Sequence, residues 1–343
     1  MGVNIYMKGK YKLKIKNNKV SYEFELDRKV TVIKGESASG KTTLINMISR
    51  YNQNPNSTPI KFDIKPKCET IVLNNVLWRQ SKDYDNCIIF IDEHFEYLND
   101  SEFNTFVNKS NNYFVIVDRD DTGRLDYSVK DIYEMKADDK YSNTHRLYTN
   151  YLEIGDSKSI NSVNIDKIVV EDSNAGCTFY TAAYPNNIVE SSGGNSKIFS
   201  YVKNHLNENL FIVADGAAFG KYINELSILM NKKHNINLFL PESFEYFLLF
   251  GGILDIINKP NCKIYNGVNV DLILAYPEDY IDITKFATWE KFFTNILSIC
   301  TSQTKVHYDK TNLNDFYISP NVLSVMKSII PICENKIKGM HLV

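Results

Sequence analysis

The stretch GESASGKTT, Gly35 to Thr43, has the spacing G-x-x-x-x-G-K-[ST] and follows the apolar run KVTVIKG. Gly35 and Gly40 allow backbone angles that turn successive N–H groups toward phosphate oxygens. A helix opening at Lys41 adds partial positive charge at the same point. Lys41 would reach the β- and γ-phosphates, Thr42 would offer its hydroxyl to Mg²⁺, and Ser39 and Thr43 complete the loop. A second motif, IIFIDEH, runs from Ile88 to His94. It is an apolar strand ending in two acids. Asp92 falls on the Mg²⁺ side and Glu93 is placed to polarise an attacking water as a general base. His94 would contact the γ-phosphate region or cap the strand, and the cap is the preferred reading. Together the motifs predict a site for ATP and Mg²⁺ with hydrolysis as its chemistry.

A second set of acids ends strands further along. Glu171 and Asp172 close KIVVED, Asp215 closes LFIVAD, and Glu242 and Glu245 open the helix after LFLP. In parallel α/β sheets, ligands sit beyond the C-terminal ends of the strands. Glu171, Asp215 and Glu242 would therefore converge on a divalent ion, since carboxylates are the hard ligands Mg²⁺ prefers. Metal held this way supports phosphodiester cleavage. The same residue types also cap helices, and EDSNAG and PESFE both read as helix starts. The small residues of DGAAFG would admit a ligand close to the backbone, or close helix–strand packing.

These residues need strands and helices in a definite order. YKLKIKNNKVSYEFEL alternates at period two across an Asn-Asn turn, which predicts a hairpin. KTTLINMISRY, 41–51, is the helix opened by the loop, and NQNPNSTP is a loop. IKFDI, ETIVLN, CIIFIDE and NYFVIVD follow as strands, and DIYEMK with THRLYTNY closes a hairpin. Asp118, Arg119 and Asp120 follow NYFVIVD, where Arg119 would sense a γ-phosphate or form a surface ion pair. The polar stretch 152–166 is the expected boundary. Beyond it strands and helices alternate, which predicts a parallel sheet covered on both faces. TKFATWEKFFTNILSICTS predicts an amphipathic helix whose stripe of Trp289, Phe292, Phe293 and Ile296 enters a core.

Residues 1–151 resemble the ATP-binding-cassette-like ATPases in their order of β-rich start, phosphate loop, Walker B strand and following strand. The chain departs from that family in having no helical subdomain and no signature motif between the two motifs. SSGGNS, 191–196, lies after the Walker B strand, on the wrong side of it for a signature. Residues 166–260 resemble the TOPRIM domain of topoisomerases, primases and OLD-family nucleases. Glu171 matches its first acid and Asp215 the first Asp of its Asp-x-Asp pair, but Ala217 stands where the second Asp belongs, so Glu242 or Glu245 would have to supply that ligand. GGNSK, 193–197, matches the glycine-rich turn such domains place after their second strand, where Lys197 would contact a phosphate. The combined resemblance implies an α/β protein of two α/β domains, 1–151 and 166–260, with a mostly helical extension over 261–343. It implies an ATPase whose nucleotide state controls a Mg²⁺-dependent nuclease acting on DNA or RNA in defence against mobile DNA, with a protein partner or a homo-oligomer. The missing Asp favours a second reading, a nucleotide-switched binding or sensor protein whose TOPRIM-like domain does not cut. A small-molecule kinase is a third, opposed by the Asp92-Glu93 pair.

Composition narrows the class. The chain has 343 residues, 43% hydrophobic and 23% charged, enough for two cores. A net charge of −2 gives no global basic footprint for nucleic acid. Cys68, Cys87, Cys177, Cys262, Cys300 and Cys333 form no C-x-x-C pair, which argues against a zinc site or disulfide framework. No apolar run reaches the ~18 residues of a membrane span. The opening residues lack a secretory pattern, and Tyr6 stands where a myristoylation motif needs Ser or Thr. The expectation is a cytoplasmic protein with no membrane contact.

Overall fold

Where the sequence alternates, the first strands form. The computed structural model describes residues 7–36, 38–78, 83–117, 124–138 and 141–333. The chain divides into two compact units. The first comprises 1–149 with 276–291, the second 150–275 with 292–343. The protein is α/β. Among the described residues no helix is long and apolar enough to cross a membrane.

In the first unit, strands β1 (Tyr11–Lys16) and β2 (Ser21–Leu26) pair antiparallel, with Leu13 and Ile15 buried and the lysines between them exposed. Such alternation marks a sheet with one solvated face. Strand β3 (Val30–Lys34) has no alternation and is buried nearly throughout. Helix α1 (Lys41–Gln53) follows it and runs two residues into the stretch expected to be loop. Then come β4 (Lys61–Lys65), β5 (Glu69–Leu73), β6 (Cys87–Ile91), helix α2 (Ser101–Lys109), β7 (Tyr113–Val117), and the hairpin of β8 (Ile132–Asp138) and β9 (Tyr141–Arg146). The sheet order is β4-β1-β2-β9-β8-β3-β7-β6-β5. Strands β3, β7, β6 and β5 are parallel neighbours. Strands β6 and β7 are buried at every residue, as parallel strands covered on both faces must be. Asp100 caps α2 by accepting the N–H groups of Glu102 and Phe103.

Residues 276–291 pack into this same unit. The Arg28 guanidinium lies 3.4 Å from the ring centre of Trp289 and forms a buried 2.9 Å ion pair with Asp131. Lys29 is buried and donates to the carbonyls of Asn108 and Ile283. The Gly9 N–H donates to Glu278 O at 2.7 Å. The segment expected to belong to a C-terminal extension is thus divided between the units.

The second unit holds a four-stranded parallel sheet, ordered β12-β11-β13-β14. The chain runs through β10 (Ile160–Asn161), β11 (Lys167–Val170), α3 (Ala175–Ala183), β12 (Ile188–Ser191), α4 (Asn195–Asn204), β13 (Leu210–Val213), α5 (Ile223–Lys232) and β14 (Ile236–Phe239). From β11 it winds one way to β12, then crosses back to lay β13 on the other side of β11. The winding therefore reverses between β11 and β13. The polar stretch after residue 151 is no free linker. Leu152 bridges Phe239 at the sheet edge, and β10 pairs with β17 (Ile332–Cys333).

One helix was expected after LFLP, but the chain makes two, α6 (Phe244–Phe250) and α7 (Ile253–Ile257). The break falls at Gly251, where any Cβ would collide with the Met326 sulfur of α10 (Pro320–Lys327). Between them lie the short hairpin β15 (Ile264–Tyr265) and β16 (Val268–Asn269), helix α8 (Val270–Ala275) and helix α9 (Trp289–Thr301). Phe292, Phe293 and Ile296 of α9 are fully buried, so its apolar stripe is core.

Candidate functional site

Parallel strands place their C-terminal ends on one sheet edge. Gly35 follows β3, Asp92 and Glu93 follow β6, and β7 lies between those strands. The phosphate loop and the acid pair therefore share an edge of the first unit. Gly40 has φ 101°, a left-handed conformation that glycine adopts without strain, and it leads directly into α1. The Tyr22 hydroxyl donates to Gly40 O at 3.0 Å and pins the loop to β2. Lys41 is buried at 5% exposure, its Nζ donating to Gly35 O and, at 3.1 Å, to Glu36 O. The loop curls around the ammonium that would meet a phosphate. Thr42 and Thr43 are exposed at the start of α1.

Two observations test whether this loop fits ATP and Mg²⁺. Ser39 is buried, yet its hydroxyl has no hydrogen-bond partner among the described residues. A Cβ on Gly35 would stand 2.5 Å from that hydroxyl, so the glycine keeps the cradle open. Both suit a loop shaped for a phosphate group. Beyond β6, Asp92 Oδ1 accepts the Glu93 N–H at 2.9 Å and Asp92 O accepts the Phe95 N–H at 3.0 Å. The turn fixes the backbone that carries Glu93. The expected strand cap is therefore Asp92 and not His94, whose side chain is 86% exposed and stands 3.9 Å from Glu93. Asp118, Arg119 and Asp120, among them the proposed sensor, lie outside the described residues.

No family model, no curated protein and no solved structure matches this chain.

In the second unit a cavity of about 70 Å³ opens between the ends of β11 and β13. That is where the winding reverses, the place open α/β sheets reserve for ligands. Glu171, Asp172, Tyr180, Asp215, Phe244 and Lys310 line it. Glu171 and Asp215, expected to meet, do so: the Asp215 N–H lies 3.4 Å from Glu171 Oε2. Asp215 Oδ1 accepts the Phe244 N–H at 3.0 Å, which ties β13 to the start of α6.

The third expected acid is absent from the lining. Glu242 is buried, its carbonyl accepts the Ala217 N–H at 3.1 Å, and its side chain does not line the cavity. The turn that opens α6 uses Ser243, whose hydroxyl accepts the Tyr246 N–H, to cap the helix. Among the described residues no three Asp, Glu, His or Cys side chains are grouped to hold a metal ion. Asp172 serves as the cap its sequence suggested, accepting the N–H groups of Gly176 and Cys177. In DGAAFG, Gly216 donates to Pro241 O at 2.7 Å and a Cβ would meet that oxygen at 3.0 Å, so close packing accounts for the small residues. The GGNSK turn is tied to β11 through the Gly194 N–H, 2.8 Å from Glu171 O, while Lys197 is exposed above Gly193.

Lys310 and Tyr308 carry no signal in sequence, and Glu245 was legible only as an acid at a helix start. Lys310 lines the cavity, and its Nζ stands 3.8 Å from Oε1 of the fully buried Glu245. Glu245 also accepts the Tyr308 hydroxyl at 2.8 Å. Burial, with Glu245, Asp215 and Asp172 nearby, holds the Tyr308 phenol well above its ordinary pKa. Burial raises Tyr180 in the same way, followed by Tyr184, Asp215 and Asp172. Both phenols therefore stay protonated. Only tertiary packing brings the loop at 308–310 to the strand ends.

Proposed function

We propose that the first unit binds and hydrolyses ATP and that its nucleotide state governs the second. The observation that carries this reading is the shared edge of β3, β7 and β6, which brings the loop Gly35–Lys41 and the pair Asp92–Glu93 together. Backbone N–H groups of the loop and the start of α1 hold the phosphates. The Lys41 ammonium exchanges its two carbonyl partners for phosphate oxygens, and Thr42 with Asp92 holds the cation. ATP with Mg²⁺ supplies the electrophilic phosphoryl group and neutralises its charge. Glu93 orients a water and takes up its proton.

Equilibrium titration of the full chain with a fluorescent ATP analogue tests the binding step. Lys41→Ala is expected to weaken affinity by ~100-fold or more, the value of a lost charge-assisted phosphate contact in a buried loop. Unchanged affinity in that variant would remove the loop from the site.

For the second unit, the geometry supports a pocket that binds without cutting. Glu242 does not line the cavity with Glu171 and Asp215, and Ala217 supplies no ligand. A Mg²⁺-dependent nuclease is the second reading, favoured by the approach of Asp215 to Glu171. Plasmid nicking by the full chain in Mg²⁺ or Mn²⁺ separates the two.

A further inference from the structure

The wall of the cavity between β11 and β13 contains a buried hydroxyl with no hydrogen-bond partner among the described residues. Tyr180 is 1% exposed and lines the cavity, yet its hydroxyl has no hydrogen-bond partner among the described residues. Glu245 is fully buried behind Lys310, and its Oε2 is likewise without a partner among the described residues. Buried polar atoms are normally paired, so each such group needs an explanation. The Tyr180 hydroxyl in the cavity wall points to a ligand that completes it, and Glu245 Oε2 is a second such atom behind Lys310.

Charge gives the sign of that ligand. Glu171, Asp172 and Asp215 line the cavity together with Lys310, whose ammonium stands 3.8 Å from the buried Glu245 carboxylate. Among the described lining residues carboxylates outnumber cations, which disfavours an anion. Size limits the ligand to a head group, since about 70 Å³ has no room for a nucleotide. The Phe244 and Tyr180 side chains add aromatic walls, which attract cations through their faces.

A divalent metal fits less well. It needs several oxygens converging within ~2.0–2.6 Å. Here both Asp172 oxygens accept α3 N–H groups, Asp215 Oδ1 accepts the Phe244 N–H, and no three acids among the described residues are grouped to hold a metal ion. An organic cation with several N–H donors can reach dispersed acceptors at ordinary hydrogen-bond distances. We propose that this cavity binds a compact organic cation, an ammonium or guanidinium head group, with the Tyr180 hydroxyl and the Asp215 carboxylate among its acceptors.

Calorimetric titration of the full chain at neutral pH and constant ionic strength tests this. The probes are methylammonium, guanidinium, 1,4-diaminobutane and Nα-acetyl-lysine amide, all as chlorides. Tetramethylammonium, which has no N–H, serves as control. At least one N–H cation is expected to bind at one site per chain, with tetramethylammonium silent. Tyr180→Phe, which removes only a hydroxyl, is expected to weaken that binding about tenfold. Asp215→Asn keeps an acceptor for the Phe244 N–H and is expected to weaken it at least as much. Glu93→Gln is expected to leave it unchanged, which separates this site from ATP turnover. Preference for 1,4-diaminobutane over Nα-acetyl-lysine amide marks a free amine as the ligand; the reverse marks a lysine side chain of a partner protein. The proposal is overturned if none of the four probes binds up to about 50 mM. It is equally overturned if both pocket variants bind like the parent, or if Mg²⁺ or Mn²⁺ binds in a way that depends on Asp215 while the amines do not.

Discussion

Lys41 and Asp215 show how differently two site residues can be read. Lys41 belongs to a motif that is contiguous in sequence, so its position and its proposed role can be read from spacing alone. It lies buried against Gly35 O and Glu36 O, within the loop that was predicted to hold it. Asp215 depends on what neighbouring strands bring. Its meeting with Glu171 was legible because both residues end strands of one parallel sheet. That Glu242 would not line the same cavity was not, and neither was the choice of Ser243 as the cap of α6. This decides a prediction at the scale of residues. If the second unit cleaves DNA with the pair that remains, Glu171→Ala with Asp215→Ala removes metal-dependent nicking by at least ~100-fold while ATP binding persists. If it binds without cutting, as the geometry favours, the parent chain itself leaves plasmid intact in Mg²⁺ and Mn²⁺.

At the scale of elements, strands with a clear period were legible to within a residue or two. The KLKI alternation gave β1, and the apolar runs gave β6 and β7. Helix α2 carries its own signals, Asp100 as cap and Phe103 and Val107 as its buried face, and these were overlooked between two strong strands. The break between α6 and α7 has a local signal, the Gly251-Gly252 pair, with Gly252 in the left-handed conformation (φ 80°) that ends helices. Only the packing of Met326 of α10 into the space beside Gly251 has no local signal. Lys310, Tyr308 and Glu245 were illegible as a group for the same reason. Their meeting is a product of how the last third of the chain folds over α6.

At the scale of the molecule, the return of residues 276–291 to the first unit could not be read from sequence. It is held by contacts such as Lys29 Nζ to Ile283 O, which are separated by 254 positions. Burial lowers the Lys29 pKa to about 7, with Asp282 acting against the shift. The neutral amine keeps two N–H donors for its two carbonyl partners. Unfolded, Lys29 titrates near 10.5, so from about pH 7 upward the unfolded chain binds the extra proton and stability rises with pH. Below about 7 both states carry that proton and the rise ends. Cys68 and Cys87 act in the opposite sense. Burial raises them to about 12 and about 11, so stability falls once the unfolded thiols ionise near 9. Urea midpoints measured with reduced protein are therefore expected to rise between pH 7 and about 8.5, and Lys29→Met is expected to lose most of that rise. An equal rise in the variant would assign the effect to other groups.

ATP turnover by the full chain in Mg²⁺, comparing the parent with Glu93→Gln, tests the central claim most directly. The account predicts steady phosphate release by the parent, a fall of ~100-fold or more in the variant, and ATP affinity that is essentially retained. Equal turnover in the two proteins, or none in the parent, would contradict it.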